Sequence, residues 1–410
     1  MKTFREAAGA NGAVEQSDES LEHNGLESNV LRHKRPFEEN IFTPIDLQLL
    51  VTQNQLMTKS DILSPDFRKS LAAVGERLHS GRSVKAELPA VLAHMSALPA
   101  ASISQADPEI AAVANLTRWR PKPAWLDKLF WRHLSDREQL LRLPDLSYLF
   151  IFHRDGRMRE AALQRITGAL ESPFLFAAVA MRLNDWAQPV RVAAFACAKR
   201  CFPLTSAEVI ANAAASLVLH QDSWGRWDVE RQAMEETLAR PDVAEELARI
   251  LCEGQTGPVS RIFRLVLKNS SMDTHLLQLA ANARQPWVRA VAVQAIADMR
   301  AAWLVGREWQ WVDKSMGRRT RTPKFDFRDI KLSIDQAGVI RAAASDASLI
   351  VRRAALTAVI QHWGGSREAQ ELALTLRSDP SPSVRERAAF ILSRISESVA
   401  PHDRIGIPSR

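Results

Sequence analysis

The sequence predicts an all-α chain: an α-solenoid of about seven to eight helix-pair repeats behind a disordered N-terminal tail. Three observations predict it. Ala, Leu and Arg, all good helix formers, are frequent, while Gly numbers only 16 in 410 residues, few for a chain rich in tight turns. A pattern of a polar turn, a β-branched or Met residue, an Arg and then small residues recurs several times. The recurrences fall near multiples of 32 residues, which suits two helices and two turns per unit.

In chain order, residues 1–43 are polar, carry eight Asp/Glu against five Lys/Arg, and show no hydrophobic period. Such a segment buries too little apolar area to offset its ordering entropy, so a disordered acidic tail is expected. Residues 44–135 read as an N-terminal helical capping region, with Pro44, Pro65, Pro89 and Pro99 at helix boundaries. A terminal repeat has no neighbour on one side and needs a polar outer face. Residues 136–400 read as the repeat array, with 401–410 as a C-terminal tail.

The repeat instances are RDGRMREAALQRI (154–166), NDWAQPVRVAAFACA (184–198), RQPWVRAVAVQAI (284–296), SDASLIVRRAALTAV (345–359) and SDPSPSVRERAAFIL (378–392). Their pivotal arginines are Arg159, Arg191, Arg289, Arg352 and Arg385, and weaker units fit near 229–233, 258–262 and 338–342. The Asp or Ser ahead of each second helix can cap its free N–H groups. The Ala pairs let neighbouring helices approach, and Leu, Val and Ile at three-and-four spacing form a buried stripe. The repeated D-x-x-x-V-R-x-x-A-A pattern resembles that of bacterial HEAT-like repeat proteins, in particular the short repeats of phycobiliprotein lyases. The resemblance covers about residues 140–400. It implies a helical solenoid and, in the pivotal arginines, turn-capping hydrogen bonds. It implies no single activity, because members of this group bind proteins, nucleic acids or chromophores, and a few are enzymes.

Three segments break the rhythm. The clearest is the basic, Trp-rich insertion at 303–331, expected as an extended loop or lid between two helices of one unit. Within 314–324 stand Lys314, Arg318, Arg319, Arg321 and Lys324 with no anion. Trp303, Trp309 and Trp311 precede them, and Phe325 and Phe327 follow. Cations beside rings suit an acidic or phosphate-bearing partner, and a solvated loop whose Trp residues fold back on the helices would leave the same pattern. The second break, LTRWRPKPAWLDKLFWRHL (116–134), interleaves cations with Trp119, Trp125 and Trp131. Trp125, Leu126, Leu129 and Phe130 make a core stripe there, with the basic residues reaching past it to solvent.

The third break is HQDSWGRWDVERQ (220–232), where Glu230 stands in the place of a pivotal Arg. Trp224 and Asp228, four residues apart, resemble the Trp and catalytic Asp of HEAT-like alkylpurine DNA glycosylases, and Trp303 could supply that family's distant ring. On that resemblance Asp228 would stabilise a developing sugar cation. The simpler reading makes Asp228 the N-cap of the following helix.

No P-loop, H-E-x-x-H, paired C-x-x-C or G-x-S-x-G signature is present. No metal site and no cofactor are expected. Cys197 and Cys201 read as small core residues, and three cysteines suit a reduced, cytoplasmic setting. No apolar run reaches the length that spans a bilayer, so no membrane partner is expected. The net charge of +7 admits an acidic partner without choosing one. The leading expectation is therefore a non-catalytic scaffold engaging a protein through its concave face and basic insertion. The alternative is a nucleic-acid-binding protein, with a repair enzyme of the alkylpurine DNA glycosylase kind as its specific form.

Overall fold

A computed structural model describes residues 62–116, 134–221 and 223–399. The acidic tail at 1–43, most of the Trp-rich segment 116–134 and the tail at 401–410 lie outside the described residues. Among those described, the chain forms eighteen α-helices, three short 3-10 turns and one two-stranded antiparallel sheet. The helical class is as expected, and the sheet is the departure from it. No helix among the described residues is long and apolar enough to cross a membrane.

Three helices open the described chain: α1 (Pro65–His79), α2 (Leu88–Ser96) and α3 (Ile103–Val113). Ser64 caps α1 by accepting the Phe67 N–H, and Pro65 fills the first turn where no N–H is needed. After α4 (Asp136–Arg142), the helices pack in consecutive pairs. The pairs are α5 (Leu146–Phe150) with α6 (Gly156–Arg165), α7 (Pro173–Arg182) with α8 (Gln188–Cys201), and α9 (Ala207–Gln221) with α10 (Arg231–Leu238). Next come α11 (Pro241–Glu253) with α12 (Val259–Val266) and α13 (Leu276–Asn282) with α14 (Pro286–Asp298). The last two pairs are α15 (Gln336–Ala344) with α16 (Leu349–His362) and α17 (Arg367–Leu376) with α18 (Pro382–Val399).

Pairs also stack on one another in two rows. First helices touch first helices from α7 through α9, α11, α13 and α15 to α17. Second helices touch along α6, α8 and α10, and again along α12, α14, α16 and α18. The small residues expected to permit close approach do so. Ala193, Ala194, Cys197 and Ala198 of α8, and Ala355 and Ala358 of α16, are fully buried or nearly so. Cys197 and Cys201 lie in this core with their sulfurs 3.9 Å apart.

An arginine–carboxylate rung joins successive pairs. Arg159 donates Nη1 to the carbonyls of His153 and Arg154, at 2.8 and 3.0 Å, closing the turn before its own helix. Its Nε and Nη2 grip both oxygens of Asp185, in the turn of the next pair, at 2.9 and 2.8 Å. Asp185 also accepts the Ala187 N–H, which tightens that next turn. Arg191 then donates to the Asp185 carbonyl and reaches Glu230. The arrangement repeats farther on. Arg289 grips Asp346 at 2.8 Å through both Nε and Nη2, and Arg352 grips Asp379 at 2.7 and 3.0 Å. Arg385 caps the last turn through the carbonyls of Asp379 and Pro380.

These rungs refine two expectations. The pivotal arginines do cap their turns. The Asp and Ser ahead of the second helices divide: Asp155 and Ser348 cap α6 and α16 as expected, accepting the Arg157 and Ile350 N–H groups, whereas Asp185, Asp346 and Asp379 lie ahead of the cap position, each accepting the N–H two residues on and facing the preceding pair's Arg. Glu230 does not take a pivotal Arg's role either, but supplies the carboxylate for Arg191.

Hydrogen bonding by Arg352 holds the Asp379 carboxyl below the usual carboxylate range. A lowered folded value means that this carboxylate stabilises the fold fully above the unfolded value, about pH 4, and that its contribution fades as pH falls through the folded value. Asp379→Asn is expected to cost about 2 kcal/mol near neutral pH, the order of a charge-assisted hydrogen bond. The deficit should shrink below about pH 4 in urea titrations run at a series of pH values.

Candidate functional site

The insertion at 303–331 is not the loop expected but a β-hairpin of β1 (Arg300–Asp313) and β2 (Arg318–Asp329). It lies not within a helix pair but between the pair α13/α14 and the pair α15/α16. Residues 338–342 accordingly fall in α15, the first helix of a pair, and not in a degenerate pivotal helix. The physical reason is a period of two: W-Q-W and F-D-F alternate aromatic and polar residues, the pattern of a strand and not of a helix or loop. Asp313 builds the turn by accepting the N–H groups of Ser315 and Met316, and Gly317 sits at φ +65°, where a side chain would be strained.

The base of the hairpin is anchored. Met299 ends α14 in the left-handed region at φ 47° and turns the chain from helix to strand, and its carbonyl accepts the Ile330 N–H at 2.9 Å. Ala301 and Ile330 are buried in the core. Gln336 donates its amide to the carbonyls of Ile296 and Ala297 near the end of α14. Arg328 does most to fix the base. Its guanidinium donates to the carbonyls of Leu267, Lys268 and Asn269 and grips both oxygens of Asp273 at 2.8 and 2.5 Å.

Residues opposite each other in an antiparallel pair share a face, and faces alternate along a strand. The register pairs Ala302 with Phe327, Leu304 with Phe325, Arg307 with Pro323, Trp309 with Arg321 and Trp311 with Arg319, all on one face. The opposite face carries Gly306 with Lys324, Glu308 with Thr322, Gln310 with Thr320 and Asp313 with Arg318. One face is therefore aromatic and arginine-rich, and the other, apart from Trp303 opposite Asp326 near the base, polar and of mixed charge.

The candidate residues divide accordingly. Trp309, Trp311, Arg319 and Arg321 come together on the aromatic face, with the Arg319 and Arg321 guanidinium carbons 4.6 and 5.0 Å from the Trp309 ring centre. Arg318 and Lys324 point to the other face, and Lys314 lies in the turn. Trp303, opposite Asp326, is half-buried toward the base. Arg307, Leu304 and the bulged Val305 are part of the exposed surface and were not among the sequence candidates. Their signal was the strand alternation, which places Arg307 opposite Pro323 and beside the tryptophan ladder.

The Trp224–Asp228 pair sits elsewhere, in the turn between α9 and α10. Trp224 packs edge-to-face on buried Trp227 at 4.7 Å. Asp228 is exposed, and its backbone N–H donates to Glu230. It is not the N-cap of α10: that position belongs to Glu230. Among the described residues no group of three or more His, Cys, Asp or Glu could hold a metal ion. Searches found no family model that matches the chain and no curated protein that matches it.

Arg328→Ala should leave the Asp273 carboxylate, nine-tenths buried, without its partner. A loss of about 3 kcal/mol is expected from breaking such a pair. Urea unfolding should show that loss, while Trp311→Ala, at an exposed position, changes stability by less than about 1 kcal/mol.

Proposed function

We propose that this chain is a non-catalytic binding scaffold: a HEAT-like α-solenoid that holds the hairpin out as an arm for a protein partner. One observation carries the reading. Of the sixteen exposed large hydrophobic residues among those described, eight lie on the hairpin. A contiguous exposed apolar surface of this kind marks an interaction site, whereas single exposed residues do not. Paired helices joined by rungs support the solenoid, and an anchored base supports an arm that keeps its orientation. The concave face of such a solenoid would offer the partner a second surface.

The rungs also bear on the nucleic-acid alternative. Arg159, Arg191, Arg289, Arg352 and Arg385 are occupied by turn carbonyls, and all but Arg385 also by carboxylates of the next unit. They are not available as a stripe for phosphates.

The test is site-specific photocrosslinking in the native host, with p-benzoylphenylalanine placed at Trp311 on the arm or at Arg367, an exposed residue of α17. A discrete protein adduct from position 311 and none from 367 is the expected result. Adducts to nucleic acid alone, or no adduct at 311, would remove the reading.

A further inference from the structure

Resting on the scaffold reading, we propose that the arm docks by its aromatic face alone, and that the surface it meets is an acidic patch of a folded protein whose carboxylates pair with Arg307, Arg319 and Arg321.

The edges of the hairpin are unsuited to adding a partner strand. Pro323 removes an N–H from β2, and β1 is irregular between Leu304 and Gly306 and again between Trp311 and Asp313. Proline and bulges at an edge are the devices by which proteins block strand addition. The polar face is also unsuited, since Glu308 and Asp326 stand there among Lys324 and Arg318. The aromatic face remains. Trp309, Trp311 and Phe325 are 53, 52 and 41% exposed on it.

The composition of this face is that of a protein interface core. Such cores are rich in Trp, Phe and Arg and poor in Lys, and their hot spots are mostly Trp, Tyr and Arg. Every cation on the aromatic face is an arginine, while the lysines of the hairpin lie on the other face or in the turn. Binding of nucleic-acid backbone would draw on lysines and arginines alike, from both faces and the turn.

The arginines are also prepared for carboxylates. The Arg319 and Arg321 guanidinium carbons stand 4.6 and 5.0 Å from the Trp309 ring centre, within cation–π reach, which restrains both side chains beside the ring. A fork held in this way meets a carboxylate with two parallel hydrogen bonds and little loss of side-chain freedom. Among the described residues Arg307, Arg319 and Arg321 have no carboxylate partner, whereas Arg300 at the base is already paired with Asp329. Residues 307–324 carry six Lys/Arg against two Asp/Glu, so the partner's complement is negative.

Two double variants with equal loss of charge separate the faces: Arg319→Gln with Arg321→Gln, and Arg318→Gln with Lys324→Gln. The full chain is used to select from a displayed library of random 16-residue peptides. The selected consensus peptide, its Asn/Gln counterpart and a 20-base-pair duplex DNA are then measured by fluorescence anisotropy. The expected result is a consensus rich in Asp and Glu with apolar residues between. Its affinity should fall by at least about tenfold with the first double variant and by less than about twofold with the second. The Asn/Gln counterpart should bind at least about tenfold more weakly. A consensus without acidic residues, no selection above the first double variant, or equal losses with both variants would overturn the proposal. So would duplex DNA that outbinds the peptide and weakens equally with both. These outcomes leave the crosslinking result untouched, so the scaffold reading and the face assignment fail separately.

Discussion

Each guanidinium that spans from one helix pair to the next does two jobs at once. One nitrogen satisfies carbonyls left open in the turn before its helix, and the other two (in Arg191, Nε alone) hold a carboxylate in the turn of the following pair. That carboxylate in turn accepts an N–H of its own turn. The geometry of one connection is thus transmitted to the next. At Arg159 and Asp185 this takes place with both side chains at 5% exposure or less. Burial makes the interaction unforgiving: removing one member leaves a charge without a partner in a poorly solvated place. The apolar packing of Ala, Leu and Val supplies the non-directional attraction between helices. The rungs supply what that attraction lacks, a fixed register between neighbouring pairs.

The hairpin borrows the same chemistry. Arg328 comes from a strand and not from a helix, yet it meets three successive carbonyls and a carboxylate, as the pivotal arginines meet theirs. The position of the insertion also matters. Helix α14 contributes Val288, Val291 and Ile296 to the large core that runs back to Leu63, and Ala290, Val293 and Ala297 to a second core that runs on to Ile391. The arm leaves the chain directly after this shared helix. A base tied to α14, Asp273 and the carbonyls of residues 267–269 gives the exposed face a defined direction. Preorganisation of this kind lowers the entropy lost when a partner binds.

Much of the framework was legible in the sequence, because each part rests on a local pattern. The pivotal arginines declare themselves by their place between a polar turn and a pair of small residues, and all five meet turn carbonyls. Glu230 was visible as an exception, but its role needed the structure, since its partner Arg191 stands 39 residues earlier. Long-range pairs such as Arg289 with Asp346 leave no local trace. The hairpin was missed for a different reason. Its cations and rings drew the eye as composition, while the alternation that separates Trp309 and Trp311 from Gln310 was the informative feature. That alternation also divides the cations, which sequence proximity alone grouped as one cluster from Lys314 to Lys324.

The claim that rungs and not packing alone fix neighbouring helix pairs is tested most directly by a double-mutant cycle on Arg159 and Asp185, with Arg159→Met, Asp185→Leu and both together, followed by urea unfolding. Each single change should cost about 3–5 kcal/mol by stranding the other charge, and the double change should cost less than the sum by about 2 kcal/mol or more. Costs that add to within about 0.5 kcal/mol would contradict the account, because the two side chains would then be acting independently.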